Sequence, residues 1–331
     1  MKVSERQGHS ATGGWLRHLL RVVGIVVPFA WISYQIEVES LRSALSLVPL
    51  WILLPTLVLP LLPMALQGIR WWVLLRSSIP SLSMVKTLEC HFVASYYGLV
   101  LPGASAQEVV RAFMLSRHVD YAAVWGSTWI SKILGLVSWI IIGLFGLVMS
   151  EQSIELKIED LSSIFLSGAF LIFLLLFASF SKTLTRPIRV VTERFIPQSL
   201  IEKVTAVRDA IYAYRGRVMA LTVAMVLTVL LQLILVLGTS VVLYGICGAF
   251  DFWPYALVLA LIEIAVVVLP ITPGGIGIRE GLMAWLFEIT GVGMEQVGIY
   301  IALSFLGNAT RLIGGIPIAL GRVSYTAEQG A

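Results

Sequence analysis

The chain has 331 residues, of which 58% are hydrophobic and only 13% charged, and its mean hydropathy is +0.91. A soluble domain carries roughly 25% charged residues, so this composition excludes an ordinary soluble protein and points to an all-α polytopic membrane protein. The apolar runs are continuous rather than alternating, which excludes a β-barrel, and the net charge of +4 is spread unevenly between loops, a signal of topology and not of nucleic-acid binding.

Residues 1–19 read as a cytoplasmic tail, 20–322 as a single transmembrane domain and 323–331 as a second tail. The basic start (Lys2, Arg6, Arg17 and Arg21) leads into an apolar stretch over 20–36. No small-residue cleavage site follows it, so a retained first span is expected. A second span is expected over 46–69. It ends in Arg70-Trp71-Trp72 and Arg76, a mix of bases and aromatics that suits an anchor at headgroup level. The apolar parts of 84–118 are too short to cross twice, which predicts a re-entrant hairpin.

Spans over 122–149 and 162–180 flank an acidic loop with Glu151, Glu155, Glu159 and Asp160. Residues 181–217 carry Lys182, Arg186, Arg189, Arg194, Lys203, Arg208, Arg215 and Arg217. Ile201, Val204, Val207, Ile211 and Tyr214 recur there at helical spacing. This segment reads as a basic amphipathic helix on the cytoplasmic membrane surface, with a solvated connecting helix as the alternative. Further spans are expected over 218–246, 253–270 and 296–320. The positive-inside rule then puts both termini in the cytoplasm, with six to eight crossings.

Two stretches interrupt the apolar pattern. Leu269-Pro270-Ile271-Thr272-Pro273-Gly274-Gly275-Ile276-Gly277 lies between two apolar runs and is followed by Arg279 and Glu280. Proline lacks the N–H and glycine loses backbone entropy in a helix, so the helix must break here. Broken backbone at membrane depth needs protein or a wet cavity around it. Pro102-Gly103 echoes the pattern and is followed by Glu108 and Arg111. The pair reads as two broken-helix hairpins related as a loose internal repeat, with Pro102, Gly103, Pro273, Gly274, Gly275 and Gly277 as hinges. Two ordinary loops are the alternative.

Enzyme templates fail. The histidines His9, His18, His91 and His118 show no metal spacing, Cys90 and Cys247 stand alone, and no nucleophile elbow or phosphate loop occurs. No metal, cofactor or catalytic residue is therefore expected, and His91 is expected to be a packed residue. What remains are ionisable groups at membrane depth: Glu108, Arg111, Lys132, Glu263, Arg279, Glu280 and Arg311. Charges there must pair or face a polar cavity, and an excess of bases suits an anionic ligand such as a lipid phosphate. The alternative is that they neutralise one another to fix helix packing.

The string Pro273-Gly274-Gly275-Ile276-Gly277-Ile278-Arg279-Glu280 resembles the signature of the lysylphosphatidylglycerol synthase transmembrane-region family, flippase-like proteins that include the N-terminal half of the multiple peptide resistance factor. Arg70-Trp71 with Leu74-Leu75, Pro102-Gly103 through Glu108-Val109-Val110-Arg111, and Arg311 before Gly314-Gly315 resemble further elements of that family. The resemblance covers about residues 15–322. Lys132 stands where the family pattern suggests an arginine. The soluble aminoacyl-transferring part has no counterpart here, so no synthase activity is expected.

The resemblance implies a non-enzymatic lipid flippase or transporter of the bacterial cytoplasmic membrane. In this reading Arg111, Arg279 and Arg311 bind the lipid phosphate, Glu108 and Glu280 hold those arginines, and Glu263 couples transport to protons, since burial would raise its pKa. Expected partners are the membrane lipid itself and either a second copy or a lipid-synthesising enzyme, with no nucleic acid. Two other classes stay open: a membrane-embedded enzyme acting on a lipid, and a non-transporting partner subunit of a glycosyltransferase or lipid-modifying enzyme.

Overall fold

The computed structural model of the chain describes residues 48–99, 101, 105–150, 163, 165–170, 198–268 and 277–319, together with Arg42 and Ser46. All the regular structure among them is helical. The helices are α1 (Leu53–Val58), α2 (Leu61–Arg76), α3 (Met84–Tyr97), α4 (Ala106–Leu115), α5 (Tyr121–Ser150), α6 (Gln198–Ala213), α7 (Val218–Cys247), α8 (Phe252–Val268), α9 (Ile278–Ile289), α10 (Met294–Asn308) and α11 (Ile316–Ala319). Short 3-10 segments at Leu50–Ile52, Tyr214–Gly216 and Ala309–Gly315 continue neighbouring helices. The first expected span, the acidic loop 151–160, most of the 162–180 span and the hinge residues Pro102, Gly103, Pro273, Gly274 and Gly275 lie outside the described residues.

Four described segments are long and apolar enough to cross a membrane: Leu50–Arg76, Tyr121–Ser150, Val218–Cys247 and Met294–Ile318. A helix rises about 1.5 Å per residue, so 25 to 30 residues span the roughly 30 Å of hydrocarbon with some tilt. Their outward faces carry Leu54, Leu62, Phe145, Val148, Val226 and Leu230, all exposed. An apolar exterior of this kind is stable in lipid and not in water. The chain is a multi-pass helical membrane protein.

α8 is shorter and plays a different part. From Tyr255 to Ile262 every residue is at least nine-tenths buried. A helix that is apolar on all sides belongs in the interior, and α8 packs against α5 through small residues. A Cβ added to Gly146 would stand 2.8 Å from the Leu257 backbone nitrogen. Without hydrophobic drive between helices in lipid, this close backbone approach supplies the packing. On its other side, the rings of Tyr255, Phe287 and Tyr300 stack edge to face at 5.6 and 5.4 Å, joining α8 to α9 and α10.

The sequence places the end of the second span too early. The helix runs on through Val73-Leu74-Leu75 to Arg76, so Arg70 lies about 9 Å inside its C-terminal end. Arg70 and Trp71 are buried rather than interfacial. Only Trp72 and Arg76 keep the anchor geometry, with the guanidinium 5.0 Å from the ring centroid.

The described part of the basic amphipathic segment, α6, is also placed differently. Val207, Ile211 and Tyr214 turn toward Leu74, Ile130, Leu134 and Ala224 of α2, α5 and α7, and not toward lipid. The Tyr214 hydroxyl donates to the Leu74 carbonyl at 2.9 Å. Burial raises its pKa above the ordinary tyrosine value, which keeps that proton in place. Arg217 reaches Ser78, and Lys203 lies over the Tyr121 ring. α6 thus straps the basic end of the bundle together.

Candidate functional site

A cavity of ≈ 380 Å³ opens among α1–α5 and α7–α10. It meets α5 at Ser131, Lys132, Gly135 and Trp139, and α7 from Leu231 to Val242. Both stretches fall near the middle of 30-residue spans, so the cavity sits at the depth of the bilayer midplane. Its wall is mixed. Leu235, Leu259 and Leu303 are apolar, whereas Gln67, Gln107, Gln232 and Asn308 supply amides. Six ionisable residues complete it: Arg70, Glu108, Lys132, Glu263, Arg279 and Arg311. The short-helix pairs α3–α4 and α8–α9 both reach the same space.

The charges form two groups. In the first, Lys132 Nζ lies 3.4 Å from Glu108 Oε1, joining α5 to α4. Arg70 donates to Thr228 Oγ1 at 3.2 Å, and Gln107 donates to Gln67 at 3.0 Å and to Ser95 at 2.7 Å. Arg111 stands behind this wall and does not line it. Only 1% exposed, it stacks 4.7 Å from the Trp71 ring centroid and donates to His91 Nδ1 and Ser131 Oγ, both at 3.4 Å. His91 in turn donates through Nε2 to the Met64 carbonyl at 3.0 Å, which fixes its neutral tautomer. His91 is a packed residue, as expected.

The second group lies on α8, α9 and the 3-10 segment after α10. Arg279 Nη2 stands 3.0 Å from Glu263 Oε1, both side chains partly open to the cavity at 21% and 30% exposure. Arg311 is near enough to feel Arg279, Glu263 and Glu108 electrostatically but has no hydrogen-bond or ion-pair partner among the described residues. Tyr300 and Thr239 share a 2.8 Å hydrogen bond across the wall.

Several expected roles change. Glu280 does not hold an arginine; its carboxylate accepts the Gly277 N–H and caps α9, where Gly277 takes φ 88°, a conformation glycine adopts freely. Arg279 pairs instead with Glu263, one turn before the break in α8, and Glu108 pairs with Lys132 rather than with its near neighbour Arg111. Arg311 lines the cavity. Gly314 serves a close approach: a Cβ there would run into the Phe92 carbonyl oxygen.

Arg70 is the site residue that the sequence hid, because a base between an apolar run and two tryptophans reads as an interface marker. The four wall amides also went unread, since uncharged side chains in apolar runs carry no signal of direction. Thr56 Oγ1, Arg70 Nε, Gln232 Oε1 and Arg279 Nε, all on wall residues, are buried polar atoms without a hydrogen-bond partner among the described residues. Such atoms call for a polar ligand or water. Among the described residues no cluster of three His, Cys, Asp or Glu side chains could hold a metal ion.

No curated protein and no solved structure matches the chain. A family model does, over residues 18–308, which takes in every helix lining the cavity from α1 to α10. The chain belongs to the family described as the lysylphosphatidylglycerol synthase TM region.

Proposed function

We propose that this protein is a lipid flippase or transporter of the bacterial cytoplasmic membrane that moves an anionic, phosphate-bearing lipid and carries out no chemistry on it. The observation that carries the reading is the midplane cavity with four bases against two acids. In a membrane interior such an excess suits an anionic cargo, and arginine meets phosphate with two parallel N–H bonds. The apolar wall residues suit acyl chains at the same depth.

In this reading Arg279 and Arg311 receive the phosphate. Glu263 holds Arg279 at 3.0 Å, and the incoming phosphate competes for that guanidinium. A displaced Glu263 carboxylate is the group that would take up a proton, coupling lipid movement to the proton gradient. The pairs α3–α4 and α8–α9 act as two re-entrant hairpins, hinged at Pro102-Gly103 and at Pro273-Gly274-Gly275 with Gly277. Arg76, Arg117, Lys203, Arg208, Arg215 and Arg217 gather at one end of the bundle, and by the positive-inside rule that end is cytoplasmic.

The test is lipid movement in proteoliposomes that contain a fluorescent phosphatidylglycerol, read by the loss of signal to an impermeant quencher. Wild-type protein moves the probe and Arg279→Ala does not, while the variant purifies and melts as the wild type does. Normal movement by Arg279→Ala overturns the assignment.

A further inference from the structure

Both acids of the cavity wall are already held: Glu108 by Lys132 at 3.4 Å and Glu263 by Arg279 at 3.0 Å. Two guanidiniums are left over. Arg70 is 5% exposed, its Nη1 donates to a neutral hydroxyl, and its buried Nε has no partner. Arg311 has no partner among the described residues. The sequence segments nearest to these elements, 102–104 and 269–276, contain no ionisable residue and cannot supply a counter-charge. Arg111, behind the wall, adds a base and no acid. Arg70 and Arg311 both line the one cavity, so the two unmatched guanidiniums open on one shared space.

A buried charge needs a counter-charge close by. A phosphodiester brings one negative charge and would leave one guanidinium uncompensated. A phosphomonoester brings about −1.5 to −2 at pH 7, with three acceptor oxygens. Two arginines can then each take a bidentate grip.

We infer that the headgroup accepted by this cavity is a phosphate dianion, a terminal phosphomonoester, whose second charge is matched by Arg70 and Arg311, Arg279 joining the grip only as Glu263 releases it. This rests on the anionic-lipid reading above and narrows it to one class of headgroup. The same chemistry is presented by a lipid with a terminal phosphate and by free inorganic phosphate, and the experiment separates the two.

The full chain in detergent is titrated at pH 7.5 with dioleoyl phosphatidic acid, dioleoyl phosphatidylglycerol and dioleoyl phosphatidylcholine, and binding is read by native mass spectrometry. The expected result is phosphatidic acid bound about tenfold or more tightly than phosphatidylglycerol, with phosphatidylcholine weaker still. Arg311→Gln and Arg70→Gln each remove one unmatched charge and reduce that ratio toward one, whereas Arg311→Lys keeps it. Arg311→Lys also answers the objection that loss in a glutamine variant reflects misfolding, and Arg76→Gln, outside the cavity, leaves the ratio unchanged.

Equal binding of phosphatidic acid and phosphatidylglycerol, with both lost in Arg311→Gln, overturns the dianion and leaves the anionic-lipid reading standing. Binding of every lipid alike, unmoved by any variant, overturns both. Inorganic phosphate that displaces phosphatidic acid at equal concentration supports the dianion and removes the lipid as its carrier.

Discussion

The two charged groups around the cavity are built from the same residue types and behave as different materials. On the α2–α5 side the deepest base is fully embedded: Arg111 is stacked on Trp71 and tied to His91 and Ser131, while Arg70 has only the Thr228 hydroxyl and Lys132 only Glu108. On the α8–α10 side the ion pair of Arg279 and Glu263 is partly open, and Arg311 stands without a partner among the described residues. A cation held by several fixed neighbours costs much to move, which suits Arg111 to holding the helices together. In the reading proposed above, a cation held by one exchangeable carboxylate or by none can be handed to a ligand, which puts the working face at Arg279 and Arg311, with Arg70 opposite.

The contrast can be broken by truncating one member of each group. Arg111→Ala removes a buried charge together with its stack and leaves His91 Nδ1 unpaired. It should lower stability by about 3 kcal/mol, seen as a clear fall in melting temperature of the purified protein and as poor yield. If Arg111→Ala melts like wild type but loses lipid binding, Arg111 belongs to the working face and the division fails.

Gly314→Val forces a side chain into the Phe92 carbonyl and should cost about 2 kcal/mol by separating the 3-10 segment from α3. It should also weaken lipid binding, because Arg311 is carried on the same segment. Glu263→Gln leaves melting within about 0.5 kcal/mol of wild type, since the pair is partly solvated. Its transport should no longer respond to an imposed proton gradient, and retained coupling in that variant would remove Glu263 from the proton path. The smallest effect is expected from Glu280→Gln. It weakens the cap of α9 by about 0.5 kcal/mol and leaves lipid movement intact, a result that separates capping from the ligand role expected from the sequence.

The long spans were legible because hydropathy reports depth directly. The expected 122–149 and 218–246 spans agree with α5 and α7 to within about a residue at each end. Azimuth was not legible. Glu108 and Arg111 stand three apart on one helix and read as a local pair, yet Glu108 turns to Lys132, 24 residues away, and Arg111 turns under Trp71. Local spacing decides which residues can meet, and tertiary packing decides which do. Arg70 was misread for a related reason. The apolar run that would have shown it to be interior resumes only after two tryptophans, and those tryptophans have opposite fates: Trp71 is sealed inside with its Nε1 donating to Thr128 at 3.1 Å, whereas Trp72 stays near the surface. The Arg279–Glu263 pair bridges residues on either side of the broken stretch, a link that periodicity along either helix cannot show.

The ladder of Tyr255, Phe287 and Tyr300 carries a mechanical consequence. Its rungs come from α8, α9 and α10 in turn, and its last ring ends in the hydroxyl shared with Thr239 of α7. Tilting α9 alone would shear two interlocked ring contacts at once, so the three helices are geared to turn together. Glu263 and Arg279 are carried on α8 and α9 of that same block, whereas Glu108 and Lys132 sit on α4 and α5 outside it. The hydroxyl pair of Tyr300 and Thr239 is where that block is fastened to α7.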